Sequence, residues 1–181
     1  PDFGAYYYNK ERLGVAKSKN RCIKLLNTDH VFLFDDDCFP TCENWWEPWL
    51  DRYHHMTYSW PNMGKKEEFF DITFWSGTLG CCLYLSRHAL KTVGGFDPDF
   101  GIYGYEHYEL TNRIFRSGIV PHRYISPKDP CIWSFDAQGD YEDFKWINRG
   151  CMDQKEKAIE SKKAEANVLK ISQKKSIYRE I

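Results

Sequence analysis

The fold is decided by the stretch VFLFDDDCFP, residues 31–40. Its first four residues form a continuous apolar run, as expected of a strand that is buried on both faces. The run ends abruptly in Asp35, Asp36 and Asp37, so three carboxylates follow the carboxyl end of the strand. Ligands of open α/β sheets bind at that end. The stretch therefore predicts an α/β fold with a candidate site directly after this strand.

The three aspartates need a counter-ion wherever they are buried, because an isolated buried charge costs on the order of several kcal/mol. In an extended segment Asp35 and Asp37 point to one side and Asp36 to the other. Two carboxylates on one side suit a hard divalent ion such as Mg²⁺ or Mn²⁺, which keeps further positions for water and phosphate oxygens. The alternative is a solvated acidic turn that caps the next helix.

The hydrophobic pattern predicts helices and strands around this stretch. The predicted helices cover 13–26, 43–55, 87–93, 106–117 and most of the chain from 141 onward. The predicted strands cover 31–34, 72–85 (interrupted by two glycines) and 119–124, with a loop at 57–70. Ser86 is placed to cap the helix over 87–93. Glu109 and Arg113 are spaced to form an ion pair within the helix over 106–117.

Length and composition indicate an ordinary single-domain protein. The chain has 181 residues, with 25 basic and 26 acidic side chains, which excludes a strongly basic nucleic-acid scaffold. No apolar run approaches the roughly 18–20 residues of a membrane span, and no signal peptide is evident, so we expect a cytoplasmic protein. The seven cysteines show no paired C-x-x-C spacing and are interpreted as reduced thiols. The 17% aromatic content suits either a sugar-binding cleft or a core.

A second motif, GGFDPDFGIYGYEHYELTNRIFRSG at residues 94–118, combines glycines with aromatic side chains that can line a cleft. Glu106 and His107 open a helix within it. An unperturbed imidazole titrates near pH ~6.5, so His107 can accept a proton at neutral pH. The alternative is that Glu106 merely favours the helix N-terminus and that His107 is an ordinary surface residue.

Taken in order, GVAKSKN, VFLFDDDCFP and WSGTLGCCLYLSRHALKTVGGFDPDFGIYGYEHYEL resemble the family-2-like glycosyltransferases of the GT-A fold. Residues 75–118 resemble the C-terminal segment shared with galactosyltransferases and polypeptide N-acetylgalactosaminyltransferases. The resemblance covers residues 13–136. It implies a Rossmann-like mixed sheet flanked by helices, and transfer of a sugar from a nucleotide-sugar donor, a UDP-sugar in the first place, to an acceptor hydroxyl.

The resemblance also assigns a metal site for Mn²⁺ or Mg²⁺. Asp35 and Asp37 match the D-x-D pair that holds the ion bridging the donor diphosphate. Asp36 lies where relatives touch the sugar or ribose of the donor. Asp136 lies where many relatives supply a third metal ligand, usually a histidine, which the segment CIWSFD lacks.

Donor and acceptor contacts follow from the same resemblance. Gly14, Lys17 and Asn20 match a segment near the donor nucleotide, where Lys17 would meet a phosphate as a point charge. The loop that shapes the sugar and acceptor pocket matches Trp75, Ser76 and Gly77.

The catalytic base is less clearly assigned by the resemblance. Glu106 matches the first acidic residue of the family motif, and His107 stands where inverting members place an aspartate base. A neutral His107 that deprotonates the acceptor hydroxyl implies inversion, as does Glu106 or Glu109 in that role. If none of them acts as the base, a retaining route stays open.

One subgroup resembles the chain more closely. The K-S-K-N helix, FLFDDDCFP and YGYEH-x-E-x-[TS]-N-R are similar to glycosyltransferases associated with hypermodified, base-J-type DNA. A hydroxymethylated pyrimidine in DNA would then be the acceptor, with a glycan or a protein as alternatives. Residues 1–28 carry six basic and two acidic side chains, a face that would meet phosphates. Trp60, Trp75 or Tyr103 would stack on an exposed base or on a sugar ring.

The expected organisation is a partial GT-A core over residues 1–140 and a lysine-rich helical extension over 141–181, interpreted as a solvated helix or tail. Only 34 residues precede Asp35, so the nucleotide-binding strands are expected to be missing or shortened. Two rival hypotheses remain. One is a carbohydrate- or nucleic-acid-binding module without turnover, and the other is a phosphotransfer or nuclease site on the aspartate triplet.

Overall fold

The computed structural model describes residues 4, 8–134, 138 and 154–173. The helices in this part of the chain are α1 (Val15–Leu25), α2 (Arg87–Val93), α3 (Glu106–Arg116) and α4 (Gln154–Gln173). The strands are β1 (His30–Phe34), β2 (Cys38–Pro40), β3 (His55–Thr57), β4 (Lys65–Phe69), β5 (Ile72–Trp75), β6 (Cys82–Ser86), β7 (Ile125–Pro127) and β8 (Ile132–Ser134). None of the described helices is long and apolar enough to cross a membrane.

The strands form three small sheets, with the orders β1-β6-β3, β2-β8 and β4-β5-β7. Every pair of strands in the described ranges is antiparallel. Helices and strands together give a mixed α/β structure, as expected, but the small antiparallel sheets do not confirm the Rossmann-like mixed sheet that the resemblance implies. Strand β1 accordingly alternates, with Val31 and Leu33 buried and Phe32 and Phe34 half-buried, rather than being buried on both faces.

The hydrophobic core is built around β6, the central strand of the first sheet. All five residues of β6 are buried. Met56 of β3 and Leu110 of α3 are also fully buried in this core. Helix α3 packs on α2, and its residue His107 lies against Gly80, next to Cys81, whose carbonyl accepts from the Asp35 amide.

Predictions based on local signals are confirmed. Helix α1 (Val15–Leu25) lies within the predicted span of 13–26, and Ser86 caps α2 by accepting a hydrogen bond from the Ala89 amide at 3.1 Å. In α3 the Arg113 guanidinium donates to both carboxylate oxygens of Glu109, at 2.9 and 2.6 Å. Both side chains are at most 2% exposed, so this pair is a buried ion pair rather than a surface contact.

Three element predictions are wrong. The expected helix over 43–55 is only a 3₁₀ turn at Glu47–Trp49, because Asn44 and Asp51 adopt left-handed backbone angles, with φ of 54° and 59°. The expected loop over 57–70 contains the end of β3 and the whole of β4. The expected strand over 119–124 is irregular, and the neighbouring segment Ile125–Pro127 pairs with β5 instead.

The interpretation of all cysteines as reduced thiols is also wrong, since Cys42 and Cys131 form a disulfide. Pairing of β2 with β8 brings the two residues together, and the Thr41 amide donates to the Cys131 carbonyl at 2.8 Å. Disulfides are rare in cytosolic proteins. The cysteines therefore no longer argue for the cytoplasmic location expected from the sequence.

Helix α4 packs on the loop that precedes α3. The Asn167 amide donates to the carbonyls of Phe100 and Gly104, both at 2.9 Å. Ala164, one turn earlier, is 8% exposed and lies against Gly104. The lysine-rich helix predicted after residue 141 is thus confirmed for Gln154–Gln173, but one of its faces is buried and not solvated.

Candidate functional site

The aspartate triplet begins where β1 ends and meets helix α1. Lys19 Nζ lies 2.9 Å from Asp35 Oδ1 and donates to the Gly80 carbonyl at 3.2 Å. The Asp35 amide donates to the Cys81 carbonyl at 2.8 Å. The Lys19 side chain is 10% exposed, compared with 39% for Asp35. An ion pair between a largely buried lysine and a partly exposed aspartate therefore marks the junction between the end of β1 and the segment before β6.

The buried face of α1 decides which of its polar residues reaches this junction. Ala16, Lys19, Asn20 and Ile23 are buried at spacings of three and four residues, whereas Lys17 is exposed. Lys19, which the sequence interpretation passed over in favour of Lys17, is the cation beside the aspartates. The i, i+3, i+4, i+7 pattern of this helix was the signal that pointed to it.

Asn20, expected near the donor nucleotide, is fully engaged with the motif that begins at Gly94. Its amide nitrogen donates to the Phe96 carbonyl at 2.7 Å, and its carbonyl oxygen accepts from the Phe96 amide at 2.8 Å. Asn20 therefore ties α1 to the segment that leads into α3.

Gly14 precedes α1 in a conformation with φ of 80°. A Cβ atom at this position would lie 2.4 Å from the Gly101 carbonyl oxygen, so only glycine permits this approach. The Val15 amide donates to the Ile102 carbonyl at 2.7 Å across the same contact. Gly14 thus joins the start of α1 to the loop before α3, and a cavity of about 460 Å³ opens beside it.

A cleft of about 610 Å³ opens between α1 and the end of β1. Val15, Ser18 and Lys19 line one side, and the three aspartates line the other. Asp36 is exposed, whereas Asp35 and Asp37 are half-buried. The volume lies within the roughly 300–1,000 Å³ of small-molecule sites. The cleft is therefore large enough for a polar ligand held against carboxylates.

Glu106 and His107 form the first turn of α3, as predicted. Glu106 Oε2 accepts from the Gly104 amide at 2.8 Å, and Glu106 Oε1 lies 3.6 Å from His107 Nδ1. His107 Nε2 is buried and has no hydrogen-bond partner among the described residues. A Cβ atom on Gly80 would lie 2.7 Å from His107 Nδ1, so this glycine leaves the space that the imidazole occupies. Gly80 thus contacts His107 on one side and Lys19 on the other.

The carboxylate of Glu106 is 5% exposed but remains ionised. Burial alone would raise its pKa, but the His107 imidazole and the positive charge of Lys19 outweigh burial and lower the pKa to about 2. A group with so low a pKa is a poor general base near pH 7. Glu109 is held by Arg113 on both oxygens. His107 is therefore the candidate base of this turn.

A second histidine, His55, contacts the buried face of α3. His55 of β3 is 1% exposed, and its Nδ1 donates to the Tyr84 carbonyl at 2.8 Å. Its Nε2 lies 2.9 Å from the Thr111 hydroxyl, one helical turn beyond His107. Burial lowers the pKa of His55 to about 4; the carbonyl bond opposes this shift and the proximity of His107 adds to it. His55 is thus held neutral and fixes the helix face that carries His107.

The loop expected to shape the sugar pocket lies against the same helix. The hydroxyl of Tyr108, the residue after His107, donates to the Thr78 carbonyl at 3.2 Å and would lie 3.1 Å from a Cβ on Gly77. Ser76 is exposed. Trp75 is 6% exposed and donates from Nε1 to the Ser126 hydroxyl at 2.9 Å, so it belongs to the core and presents no stacking face.

The described residues supply a small set of metal ligands. No group of three or more His, Cys, Asp or Glu side chains within the described ranges is arranged to hold a metal ion. Asp136, the expected third ligand, lies outside those ranges. The carboxylates of Asp35 and Asp37 remain as hard oxygen donors. They fit Mg²⁺ or Mn²⁺ if water and phosphate oxygens complete the coordination.

Comparison with known proteins finds similarity to glycosyltransferases. Residues 62–129 match the model of a family described as the N-terminal domain of galactosyltransferase. This segment is similar to a galactosyltransferase domain. Over 131 residues the chain is 29% identical to an uncharacterized glycosyltransferase of Acanthamoeba polyphaga mimivirus, covering 64% of this chain and 51% of that protein. The chain thus spans about half the length of this curated relative. No solved structure matches this chain.

The galactosyltransferase-like segment contains all of the site except α1 and the aspartates. Gly77, Gly80, Glu106 and His107 lie within residues 62–129, whereas Asp35 precedes them. The resemblance predicted for residues 75–118 is therefore confirmed as a likeness to galactosyltransferases. The base-J-type subgroup remains a prediction.

Proposed function

We propose that this chain carries the catalytic centre of a metal-dependent glycosyltransferase, which transfers a sugar from a UDP-sugar to an acceptor hydroxyl with inversion. The supporting observation is the junction at Gly80. Gly80 contacts both Lys19, which pairs with Asp35, and His107, and it lies in the segment that matches a galactosyltransferase domain. The GT-A fold is also part of this proposal, because the three antiparallel sheets of the described residues do not by themselves identify it.

The donor would occupy the cleft between α1 and the aspartates. Asp35 and Asp37 would hold Mn²⁺ or Mg²⁺, which when bound acts as a Lewis acid on the departing diphosphate. Asp36, exposed at the rim of the cleft, is available to a sugar or ribose hydroxyl. Lys17, exposed on α1, is available to a phosphate oxygen.

His107 would remove the proton from the acceptor hydroxyl. Its Nε2 atom is buried and lacks a partner in the described residues, so the ring would turn toward the acceptor before Nε2 takes up this proton, while Glu106 stays anionic and stabilises the imidazolium that results. The acceptor oxygen forms a bond to the anomeric carbon as the bond from that carbon to the diphosphate breaks. Attack from the side opposite the leaving group inverts the anomeric centre.

The test is a donor screen with Mn²⁺ and UDP-, GDP- and dTDP-sugars, in which the release of nucleoside diphosphate is measured. We expect Mn²⁺-dependent release with a UDP-sugar, its abolition in Asp37→Ala, and a loss of about 10²–10⁴-fold in His107→Ala. His88→Ala, which changes an exposed histidine on α2, is the matched control. Full activity of Asp37→Ala in EDTA contradicts the metal assignment, and a loss of less than tenfold in His107→Ala contradicts the base assignment.

The acceptor is the next question for the same assay. A hydroxymethylated pyrimidine in DNA is the first acceptor to supply, because the motifs in α1, the aspartate stretch and α3 are similar to the base-J-type subgroup. Glycan and protein acceptors are the other arms. Transfer of labelled sugar to only one class decides among them.

A binding module without turnover is the second candidate function. It is favoured by the pairing of Asp35 with Lys19, and by the lack of a three-ligand metal group among the described residues. Such a module would bind a nucleotide sugar or a glycan without releasing nucleoside diphosphate. Binding measured by calorimetry, with no release in the donor screen, would establish it in place of the enzyme.

A further inference from the structure

Lys19 is an unusual residue for the buried face of a helix. It is 8% exposed, and lysine is almost never buried unless it is paired. Its ammonium contacts the Asp35 carboxylate and the Gly80 carbonyl, and lies 5.7 Å from the centre of the Phe96 ring. Its charge also reaches Glu106. Lys19 is therefore the ion-pair partner of Asp35 and the hydrogen-bond donor to Gly80 at the same junction.

The position of Lys19 also gives its ammonium room to move. The residue lines the cleft together with the aspartates, so its long side chain borders open space on one side. The helix backbone is fixed by Ala16 and Ile23, both at most 1% exposed. Only the four-carbon stem needs to rotate for the ammonium to leave Asp35 and stay within the cleft.

We propose that Lys19 is an exchangeable counter-ion, which neutralises Asp35 in the free protein and pairs with the donor diphosphate once a divalent ion takes its place on Asp35. This proposal rests on the proposed function, because it assumes that Asp35 and Asp37 bind the ion. Two cations on one carboxylate repel each other, whereas an ammonium beside a diphosphate is attracted. Lys19 therefore opposes binding of the metal alone and favours binding of the metal and nucleotide together.

The test measures two affinities in the folded, full chain. Mn²⁺ binding without nucleotide is followed by electron paramagnetic resonance of the free ion, and UDP binding at saturating Mn²⁺ is followed by calorimetry. We expect Lys19→Met to bind Mn²⁺ about tenfold more tightly and UDP about tenfold more weakly than the unmodified chain. Lys19→Arg, which keeps the charge, should stay close to the unmodified chain in both. Lys24→Met, an exposed position on the same helix, is the matched control.

The opposite changes expected in Lys19→Met, tighter Mn²⁺ binding and weaker UDP binding, distinguish the proposal from a purely structural role of Lys19. A purely structural role for Lys19 weakens both affinities together, and this outcome overturns the proposal. Unchanged Mn²⁺ affinity in Lys19→Met also overturns it, while loss of Mn²⁺ binding in Asp37→Asn leaves the metal assignment standing. If the unmodified chain and Asp37→Asn bind Mn²⁺ equally, the proposed function itself fails. Lys19→Gln, which keeps a polar end, replaces Lys19→Met in both measurements if circular dichroism shows that the methionine variant is unfolded.

Discussion

Protonation of one buried side chain, His55, should destabilise this fold in mild acid. Its ring donates to the Tyr84 carbonyl and lies 2.9 Å from the Thr111 hydroxyl, and only 1% of the residue is exposed. Desolvation is the main reason why the pKa of His55 falls from 6.5 to about 4 in the folded protein. The unfolded chain takes up this proton at a higher pH than the folded chain does.

The sign and size of the effect follow from the two pKa values. Above pH 6.5 the ring is neutral in both states and its contribution to stability is complete. Between pH 6.5 and 4 the unfolded state binds more protons, so the free energy of unfolding decreases as the pH falls. At 1.36 kcal/mol per pH unit, the loss reaches about 2 kcal/mol at pH 5 and about 3 kcal/mol at pH 4.

Urea unfolding at pH 7.5, 6 and 5 would measure this dependence in the unmodified chain and in His55→Gln. The glutamine variant should be less stable at pH 7.5, because its contacts with Tyr84 and Thr111 are altered. It should lose about 2 kcal/mol less than the unmodified chain between pH 7.5 and 5, since its side chain does not titrate. His30→Gln, at an exposed position on β1, controls for the loss of a histidine. Equal pH dependence in the unmodified chain and His55→Gln would refute the reasoning.

Three further outcomes test other parts of the structure. Arg113→Met leaves the Glu109 carboxylate buried and unpaired, so urea unfolding should show a loss of about 3–5 kcal/mol, partly restored by adding Glu109→Gln. Cys131→Ser opens a disulfide that joins residues 89 positions apart; we expect a loss of about 2–5 kcal/mol, and two additional thiols when the denatured unmodified chain is reduced. Asn167→Ala leaves two loop carbonyls without their donor and should lower the free energy of unfolding by about 1–3 kcal/mol, whereas the exposed Lys162→Ala should change it little.

The elements that the sequence predicted correctly are those defined by neighbouring residues. Helix α1 follows from its apolar spacing. Helix α2 follows from the serine that caps its start and the two glycines that come after its end. The Glu109–Arg113 pair follows from the i,i+4 rule, although the sequence did not indicate that it would be buried. Each of these features depends on contacts within a few residues, which a single sequence records directly.

The failures arise where distant segments decide the outcome. Residues 43–55 have a helical composition, but Trp49 is wholly buried and donates to the Pro130 carbonyl at 3.2 Å, so tertiary contacts override the local preference. The Cys42–Cys131 disulfide depends on the pairing of β2 with β8, which no spacing in the sequence reveals. The antiparallel partner of β1 is likewise distant in the sequence.

The candidate site combines features that a local motif predicts with contacts that only distant segments create. The sequence predicted Asp35 and His107 from their motifs, but not the link between them: Lys19, which pairs with Asp35, and His107 both contact Gly80. A larger residue at position 80 would displace the imidazole and disturb the carbonyl that holds the ammonium. The motifs thus identify which groups carry the chemistry, and an unremarkable glycine before β6 determines whether they act together. Gly80→Ala should therefore impair a reaction that needs both groups more than it impairs Mn²⁺ binding at the aspartates.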